Sequence, residues 1–582
     1  MRNKIHTLLL LSLVAACLWL GGCSKANDKS FLDRTDVGQL NEQTTFADSA
    51  LTTEFLNGVY RDLSYNYFLD NGIYGGGLWS YSDGSDDSEC RWTGATAQAA
   101  PAMNLAQFSG AADFSRFKNH WTFCYTNIRR VNVFLANIGK SPLSAAKKTR
   151  LSAEARFLRA YNYYHLLRNY SGVPIVGDKL FSLTDDFNMP RNTFDETVKY
   201  IAKELDDAAS ILPPNQLPED YGRPTRGAAL AMKAKLYLLA ASPLFNGQNP
   251  ATGPVKKLAG YEDFDANRWK VAADAAKAVM DMGQYALVED NATAPGYGFY
   301  QNTIDRKNTE QIFQIMMNTG KFYEGYLLPL SRGGQAYSYP TQELVDAFPM
   351  ANGKMISEAG SGYNEAKPYD NRDPRFYYTV LYNQSLWLDK TTNTKKPVDL
   401  YFQAAGDGLG TSNNTRTGYL FRKFCNENAG GNFGVNSQVG LVVVRYAEIL
   451  LSYAEAMNEF AGPSSQVYEA VEAVRRRAGL NPYQLQPGLS KDAMRDIIRN
   501  ERRVEFAFEE AHRYFDIKRW KLMETLVNGD SHGMRWDKSG NTYTNTRFTY
   551  EKRTFLNPQM YYFPIPQSEI NKAGMLLQNP GW

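Results

Sequence analysis

The chain has 582 residues, with 64 Lys and Arg against 61 Asp and Glu and a formal net charge of +3. A protein that binds nucleic acid through its phosphates needs a basic excess or a basic stripe, and this sequence has neither. Its aromatic content is high, with 37 Tyr, 31 Phe and 9 Trp, and the share of tyrosine exceeds ordinary usage.

Residues 1–22 have the pattern of a secretory leader. Two basic residues precede an apolar run, residues 8–20, that is too short to cross a bilayer comfortably. The run ends in Leu20-Gly21-Gly22-Cys23, a bacterial lipobox whose small residues admit the peptidase and whose thiol takes a diacylglycerol. We therefore predict cleavage after residue 22, lipidation of Cys23 and a flexible polar tether over residues 23–34.

Residues 35–582 are expected to form one large domain, because no Pro/Ser linker or low-complexity tract divides them. No stretch in this range approaches transmembrane length. The three remaining cysteines, Cys90, Cys124 and Cys425, lack any CxxC spacing. We expect no disulfide framework, and at most one bridge.

Helical periodicity dominates two regions of this domain. The predicted helices span residues 151–170, 193–212, 225–241, 267–282, 445–460, 466–478 and 491–520. Phe157, Tyr161, Tyr164 and Arg168 share one face of the first. Helices that alternate with short turns, with small residues between aromatics, fit about four stacked helix pairs of the tetratricopeptide kind. We predict a mainly α fold with this scaffold, long irregular loop regions and a few short strands.

Two intervals, residues 66–110 and 286–440, do not follow this pattern. They are rich in Gly, Asn, Ser, Thr and Tyr and have few helical periods. Long irregular segments in a compact protein are usually functional or disordered, and these hold too many aromatics for disorder. We expect them to form the binding surface, lined by short strands near residues 311–317 and 441–444.

Residues 83–89, Asp-Gly-Ser-Asp-Asp-Ser-Glu, group four carboxylates around a glycine. The order departs from an EF-hand loop, which places ligands at alternate positions before its glycine. We expect solvated loop charge here. The alternatives are contacts to sugar hydroxyls and calcium coordination by Asp83, Asp86 and Asp87.

Several segments resemble, in the same order, the SusD/RagB family of Bacteroidetes outer-membrane lipoproteins. They are ARFLRAY at 155–161 with YSGVP at 170–174, GRPTRGAA at 222–229, RYAEILL at 445–451 with YAEA at 453–456, VRRRAGL at 474–480, NERRVEFAFE at 500–509 with Arg513, Asp516-Ile517 and Arg519-Trp520, and the closing FPIP at 563–566 and QNPGW at 578–582.

The resemblance implies an N-terminal SusD-like part over residues 35–285 and a C-terminal RagB/SusD part over residues 286–582. It implies a protein on the outer face of the outer membrane that captures glycan, or peptide in RagB-like members, and passes it to a SusC-like TonB-dependent transporter. No cofactor and no covalent chemistry are implied. The charged residues of the matched helices are expected to form ion pairs between helices; these are Arg156, Arg159, Glu448, Glu455, Glu501 and Arg502.

The sequence gives little sign of enzyme chemistry. His120, His165, His512 and His532 are too scattered for HExxH or another paired-ligand spacing. There is no GxSxG elbow, no GxxxxGK loop and no GxGxxG after a strand. Two carboxylates facing each other across a cleft are not excluded by sequence, but the resemblance argues against catalysis and we expect none.

Carbohydrate sites combine an aromatic ring, which stacks on a sugar, with polar groups that bond its hydroxyls. The first choices, from the first irregular interval, are Trp79, Tyr81, Asp83, Arg91 and Trp92. The second choices, from the other interval, are Tyr323, Tyr326, Arg332, Tyr337, Tyr339 and Trp387. The helical Trp121, Trp269 and Trp520 are assigned to the core. A peptide-capturing protein of RagB type and a purely structural surface protein remain the alternatives.

Overall fold

The computed structural model describes residues 41–67, 78–91, 104–106, 115–182, 184–316, 322–389, 391–411, 414–427 and 440–582, with only the backbone for residues 64–67, 78–80, 115–118 and 322. The predicted leader, lipobox and tether lie outside the described residues. Within the described part of the chain, no helix is both long and apolar enough to cross a membrane.

The described residues form nineteen α-helices. Those before residue 290 are α1 Glu42–Phe46, α2 Ser49–Tyr67, α3 Leu78–Asp83, α4 Ser115–Asn137, α5 Ala145–Tyr170, α6 Phe194–Ile211, α7 Arg226–Ala241, α8 Lys256–Ala259 and α9 Asn267–Met280. Those after it are α10 Tyr297–Ile304, α11 Phe322–Leu327, α12 Gln342–Ala347, α13 Pro374–Thr379, α14 Tyr446–Ala461, α15 Ser465–Arg477, α16 Lys491–Glu505, α17 His512–Arg519, α18 Met523–Leu526 and α19 Gln567–Lys572.

The long helices pack in succession along the chain. Helix α2 packs on α4, α4 on α5, α5 on α6, α6 on α7, α7 on α9, α9 on α14 and α14 on α15, while α16 also packs on α14. Eight consecutive partners make four helix pairs, and the predicted tetratricopeptide-like scaffold is confirmed.

Local sequence signals set the starts of these helices. Thr193 caps α6 through a capping box: its hydroxyl accepts from Glu196 N at 3.1 Å, and the Glu196 carboxylate accepts from Thr193 N at 2.8 Å. Thr225 caps α7 by accepting from Ala228 N at 3.1 Å. Such caps satisfy backbone donors that the first helical turn leaves unpaired, and each contributes about 1 kcal/mol.

The aromatic face predicted on α5 is buried. Phe157 meets Phe313 edge to face at 4.9 Å, and the Arg168 guanidinium carbon lies 3.7 Å from the Phe515 ring centroid. Both partners come from the C-terminal half of the chain, so this face joins the two halves. The three tryptophans assigned to the core, Trp121, Trp269 and Trp520, are also buried.

The single helix predicted over residues 491–520 is wrong. The chain forms α16 and α17 with a break between them, where Phe508, Glu510 and Ala511 have φ values of 63°, 39° and 54°. A left-handed residue that is not glycine costs about 1–2 kcal/mol. The break carries Glu509 onto Arg445, with two bonds of 2.8 Å, and Glu510 onto Lys235, so distant ion pairs outweigh the local helical pattern.

The predicted ion pairs between helices are present. Arg156 and Arg159 of α5 both pair with Glu204 of α6 at 2.9 Å. The same holds further along the stack for Glu448 with Lys235, Glu455 with Arg519, Glu501 with Arg475 and Arg502 with Asp516.

A buried charge cluster surrounds the start of α14. Arg445 reaches Glu310 at 2.5 Å, Glu505 at 2.7 Å and Glu509 at 2.8 Å. Arg477 bonds Glu310 at 2.7 Å and also contacts Glu505. The cluster therefore joins the residue before β2, the boundary between β8 and α14, and the ends of α15 and α16.

The described strands form five two-stranded antiparallel sheets. They are β1 Ser88–Cys90 with β3 Ser338–Pro340, β2 Gln311–Met316 with β8 Gly440–Arg445, β4 Val380–Leu381 with β7 Leu420–Phe421, β5 Leu386–Leu388 with β6 Lys395–Pro397, and β9 Gly529–Ser539 with β10 Thr542–Arg553. The two predicted strands pair with each other as β2 and β8. The long β9–β10 hairpin was not predicted, although its alternating Thr and Tyr residues are typical of a strand.

Candidate functional site

The two irregular intervals meet at the β1–β3 pair. Ser88 lies opposite Pro340, Glu89 opposite Tyr339 and Cys90 opposite Ser338. The next residue, Arg91, donates its backbone N–H to Tyr337 O at 2.9 Å. The pairing therefore brings first-choice and second-choice binding residues, about 250 positions apart in the chain, into one junction.

Arg91 is the half-buried member of this junction. Its guanidinium carbon lies 5.5 Å from the Tyr337 ring centroid, and one of its N–H groups donates to Gln335 O at 3.0 Å. The Tyr337 ring in turn meets Tyr326 at 5.0 Å. This places a guanidinium group with two aromatic rings at the edge of the predicted binding surface.

The other described candidates are buried. Tyr81 packs on Tyr514 and Phe515, with ring centroids 5.5 Å apart in each pair. Tyr339 donates its hydroxyl to Asn414 O at 2.9 Å, and Tyr323 stacks on Phe424 at 4.8 Å. These rings present no open face to a ligand in this conformation, because protein groups already cover them.

Arg332 and Trp387 are buried on the second interval. The Arg332 guanidinium donates to Pro397 O at 2.9 Å, which holds β6. Trp387 lies on the partner strand β5, and its ring is 5.3 Å from the Arg422 guanidinium carbon. The side chain of Trp79 and the whole of Trp92 lie outside the described residues, so their role as sugar platforms stays a prediction.

The acidic stretch of residues 83–89 is interior, and the expectation of solvated loop charge is wrong. Asp86 accepts from Arg513 Nε and Nη2 at 2.7 Å each, and Asp87 accepts from Arg503 Nε at 2.6 Å. Burial alone would raise the pKa of Asp86, but Arg503 and Arg513 outweigh it and lower the pKa to about 2. The two arginines lie more than 400 residues away along the chain, beyond any local pattern.

The same contacts bear on calcium coordination at Asp83, Asp86 and Asp87. A calcium ion needs six to eight oxygen ligands that are free to turn toward it. Two guanidinium groups already neutralise Asp86 and Asp87, and Asp83 instead accepts from Ser88 Oγ at 2.9 Å and Ser338 Oγ at 2.5 Å. The arrangement does not fit a calcium ion.

A second group, Glu448, Glu510 and His512, has the spacing of metal ligands. Lys235 occupies its centre: the ammonium group lies 3.1 Å from Glu448, pairs with Glu510 and donates to Val443 O at 2.8 Å. Burial, together with the charge of Lys235, holds the pKa of His512 well below its usual range. The Lys235 ammonium group therefore supplies the positive charge that a metal ion would bring to Glu448 and Glu510.

The buried carboxyl of Asp83 is expected to make the stability of the folded protein depend on pH. Burial raises its pKa to about 7, and the hydroxyls of Ser338 and Ser88 offset only part of this. A carboxyl whose pKa is raised on folding stabilises the protein fully below its unfolded pKa of about 4, and this stability is lost as pH rises toward 7.

We expect Asp83→Asn to be more stable than the wild type at pH 8.5, by on the order of 2 kcal/mol, and similar to it near pH 4.5. Both serine hydroxyls donate to Oδ1, so an amide oxygen can keep them while the charge is removed. Urea unfolding at the two pH values measures this, with the exposed Asp274→Asn as control. A variant that is less stable at pH 8.5 would show that the charge is needed.

Sequence reasoning did not single out an open cleft that is lined mostly by residues of the second irregular interval, residues 286–440. Its lining includes Tyr377, Tyr378, Arg422 and Asn481. The sequence analysis came nearest to this cleft with Trp387. Trp387 does not line the cleft, but its ring contacts Arg422, which does.

Two family profiles match the chain. One, described as the SusD family, matches residues 297–582, and one described as "Starch-binding associating with outer membrane" matches residues 30–238. SusD-like protein P2 of Formosa agariphila is 24% identical over 582 residues, which cover 98% of this chain and 99% of that protein.

Solved structures are similar over almost the whole chain. A SusD-like protein from Bacteroides fragilis has a TM-score of 0.77 at 26% identity and covers 93% of this chain and 98% of its own. A SusD-like carbohydrate binding protein from the same species has a TM-score of 0.74 at 26% identity, with 92% and 100% covered. The similarity therefore spans the helical scaffold and the irregular C-terminal interval together.

Proposed function

Because this chain belongs to the SusD family, we propose that it is a cell-surface lipoprotein that binds an oligosaccharide or polysaccharide and delivers it to a SusC-like TonB-dependent transporter. A relative at 26% identity that is described as carbohydrate binding supports the binding role. The family description "associating with outer membrane" supports the location. Binding and delivery require no bond to be made or broken.

The observation that carries the binding proposal is the meeting of the two irregular intervals at β1 and β3. It sets the Arg91 guanidinium beside the Tyr337 ring at 5.5 Å. A guanidinium group offers several N–H donors in one plane, which suits adjacent sugar hydroxyls. Trp79 and Trp92, which flank this strand in the sequence, remain the proposed stacking platforms.

We expect Arg91→Ala to weaken glycan binding by about 1 to 3 kcal/mol, or roughly 5- to 150-fold, because the ligand loses charge-assisted hydrogen bonds. The measurement is a calorimetric titration with the saccharide that binds the wild type best. Arg129→Ala is the matched control, since Arg129 is exposed and also donates to one backbone carbonyl, Phe181 O at 2.8 Å. Wild-type affinity in the Arg91 variant would exclude this junction as the site.

The attachment and delivery parts of the proposal rest on the N-terminal sequence. A lipidated Cys23, followed by the polar tether of residues 24–34, would hold the folded domain at the outer face of the membrane. From there the domain can cover the mouth of a barrel protein and release its ligand into it.

A further inference from the structure

An open cleft has a volume of about 940 Å³, which lies within the usual range of small-ligand sites, and no residue of β1 or β3 lines it. Its polar and aromatic lining includes Asn352, Asn371, Arg372, Tyr377, Tyr378 and Arg422. Among the described residues, no Asp or Glu lines it. The cleft therefore offers aromatic, amide and guanidinium groups without a carboxylate.

Tyr377 is anchored at its hydroxyl. That hydroxyl donates to Tyr369 O at 2.6 Å and accepts from Arg372 N at 3.1 Å. The ring makes T-shaped contacts with Phe376 at 5.3 Å and Tyr382 at 6.4 Å, and is itself half-buried. Neither neighbour stacks parallel to the ring, which suits it to pack on the apolar face of a sugar.

Tyr378 is held by contacts to its ring and not by its hydroxyl. Its ring stacks on Tyr300 at 5.4 Å with an interplanar angle of 18°, and the Arg422 guanidinium carbon lies 5.6 Å from its centroid. In the described part of the chain, no hydrogen bond is formed by the Tyr378 hydroxyl or by the buried Nε of Arg422. Both residues line the cleft. The Tyr378 hydroxyl is available to a ligand there, whereas the Arg422 Nε is buried.

Asn371 lies at the cleft in a left-handed conformation, with φ of 53°, and is exposed. Its backbone carbonyl accepts from Ala351 N at 2.8 Å, while its amide makes no hydrogen bond with another described residue. An amide can donate and accept at once, as a sugar hydroxyl requires.

The charged residues at the cleft indicate whether it suits a neutral or an acidic sugar. Glu427 accepts from Arg422 Nη2 at 2.6 Å and neutralises it. Arg372 donates to three backbone carbonyls, those of Pro368, Val345 and Phe348. Neither guanidinium group has two adjacent N–H donors free to bind a carboxylate, so an acidic sugar cannot form a bidentate ion pair here.

We propose that this cleft is a second saccharide site, distinct from the β1–β3 junction, and that it binds a neutral oligosaccharide. The proposal rests on the proposed function, because it assumes that the chain binds glycan. Tyr377 supplies the stacking face, and the Tyr378 hydroxyl and the Asn371 amide bond the sugar hydroxyls.

The test uses Asn371→Gly and Tyr378→Phe, each of which removes polar atoms without disturbing the backbone. Glycine tolerates the left-handed conformation of residue 371. The matched controls are Asn393→Gly, at an exposed turn residue with φ of 54°, and Tyr446→Phe, half-buried on α14. The mature protein is titrated with maltoheptaose, laminarihexaose, cellohexaose and, as an acidic contrast, oligogalacturonate.

We expect each cleft variant to bind a neutral oligosaccharide at least about fivefold more weakly than the wild type, with an unchanged melting temperature, while both controls bind normally. Wild-type affinity in the cleft variants, with binding lost in Arg91→Ala, overturns the second site and leaves the proposed function standing. A preference for oligogalacturonate that the cleft variants reduce overturns the neutral assignment. Failure of the wild type to bind any saccharide contradicts the proposed function itself.

Discussion

We expect Arg477→Leu to lower the free energy of unfolding by about 3 to 5 kcal/mol, whereas Arg476→Leu changes it by less than about 1 kcal/mol. The two arginines are neighbours at the end of α15. The Arg477 side chain is 0% exposed and the Arg476 side chain 49% exposed. Because residue type and helix position are nearly the same, the comparison isolates burial.

The large effect comes from the charges that Arg477 leaves behind. It pairs with Glu310 and Glu505, both fully buried. Removing one member of a buried cluster leaves carboxylates with no water to replace the lost partner. Arg476 instead pairs with the half-exposed Glu289 at 2.9 Å, where water compensates.

The effect of Arg477→Leu should depend on pH. Burial alone would raise the pKa of Glu505, but Arg477 and Arg445 outweigh it and hold the pKa well below its usual range. A lowered carboxyl pKa stabilises the folded state above the unfolded pKa of about 4.3, and this is lost as pH falls toward the folded value. The difference in the free energy of unfolding between Arg477→Leu and the wild type should therefore become smaller below about pH 4. Equal stability of both arginine variants at pH 7 would contradict this account of the core.

We expect Cys23→Ala to move the protein from the membrane fraction to the soluble fraction almost completely. One acyl chain binds a bilayer only marginally, whereas two or three anchor firmly, so loss of the lipidation site removes the attachment. Detergent phase partitioning of whole-cell extracts measures this, with Ser24→Ala as the control that keeps the thiol.

The same extracts test delivery. Wild-type protein purified from native membranes in mild detergent should bring a TonB-dependent barrel protein with it, through an interface larger than the standard size. A Cys23→Ala protein that still partitions into detergent contradicts lipidation, and a wild-type protein recovered only as a monomer contradicts the transporter partnership.

The helical scaffold could be predicted from sequence because its signals are local. Thr193 and Thr225 cap helices close to where the pattern placed them, and the stripe from Phe157 to Arg168 is buried as expected. The break between α16 and α17 could not be predicted in this way. The break arises because Glu509 and Glu510 pair with the buried Arg445 and Lys235. Arg445 and Lys235 lie on other elements, so the local sequence does not show these pairs.

The candidate site shows the same division. Residue type and the lack of helical period were enough to name Arg91 and Tyr337 separately, but only the β1–β3 pairing makes them neighbours. The burial of Asp86 depends on Arg513, 427 residues away. Tyr378 was missed because nothing in its local sequence shows that Arg422 and Tyr300 pack against its ring.

The most direct test of glycan capture is to measure binding of the mature protein, as the soluble Cys23→Ala form, to a glycan array and to a random peptide pool side by side. The proposed function predicts saturable binding to at least one saccharide, weakened by Arg91→Ala, and no saturable binding to peptides. Binding to peptides without binding to any saccharide would contradict it and would favour the peptide-capturing alternative.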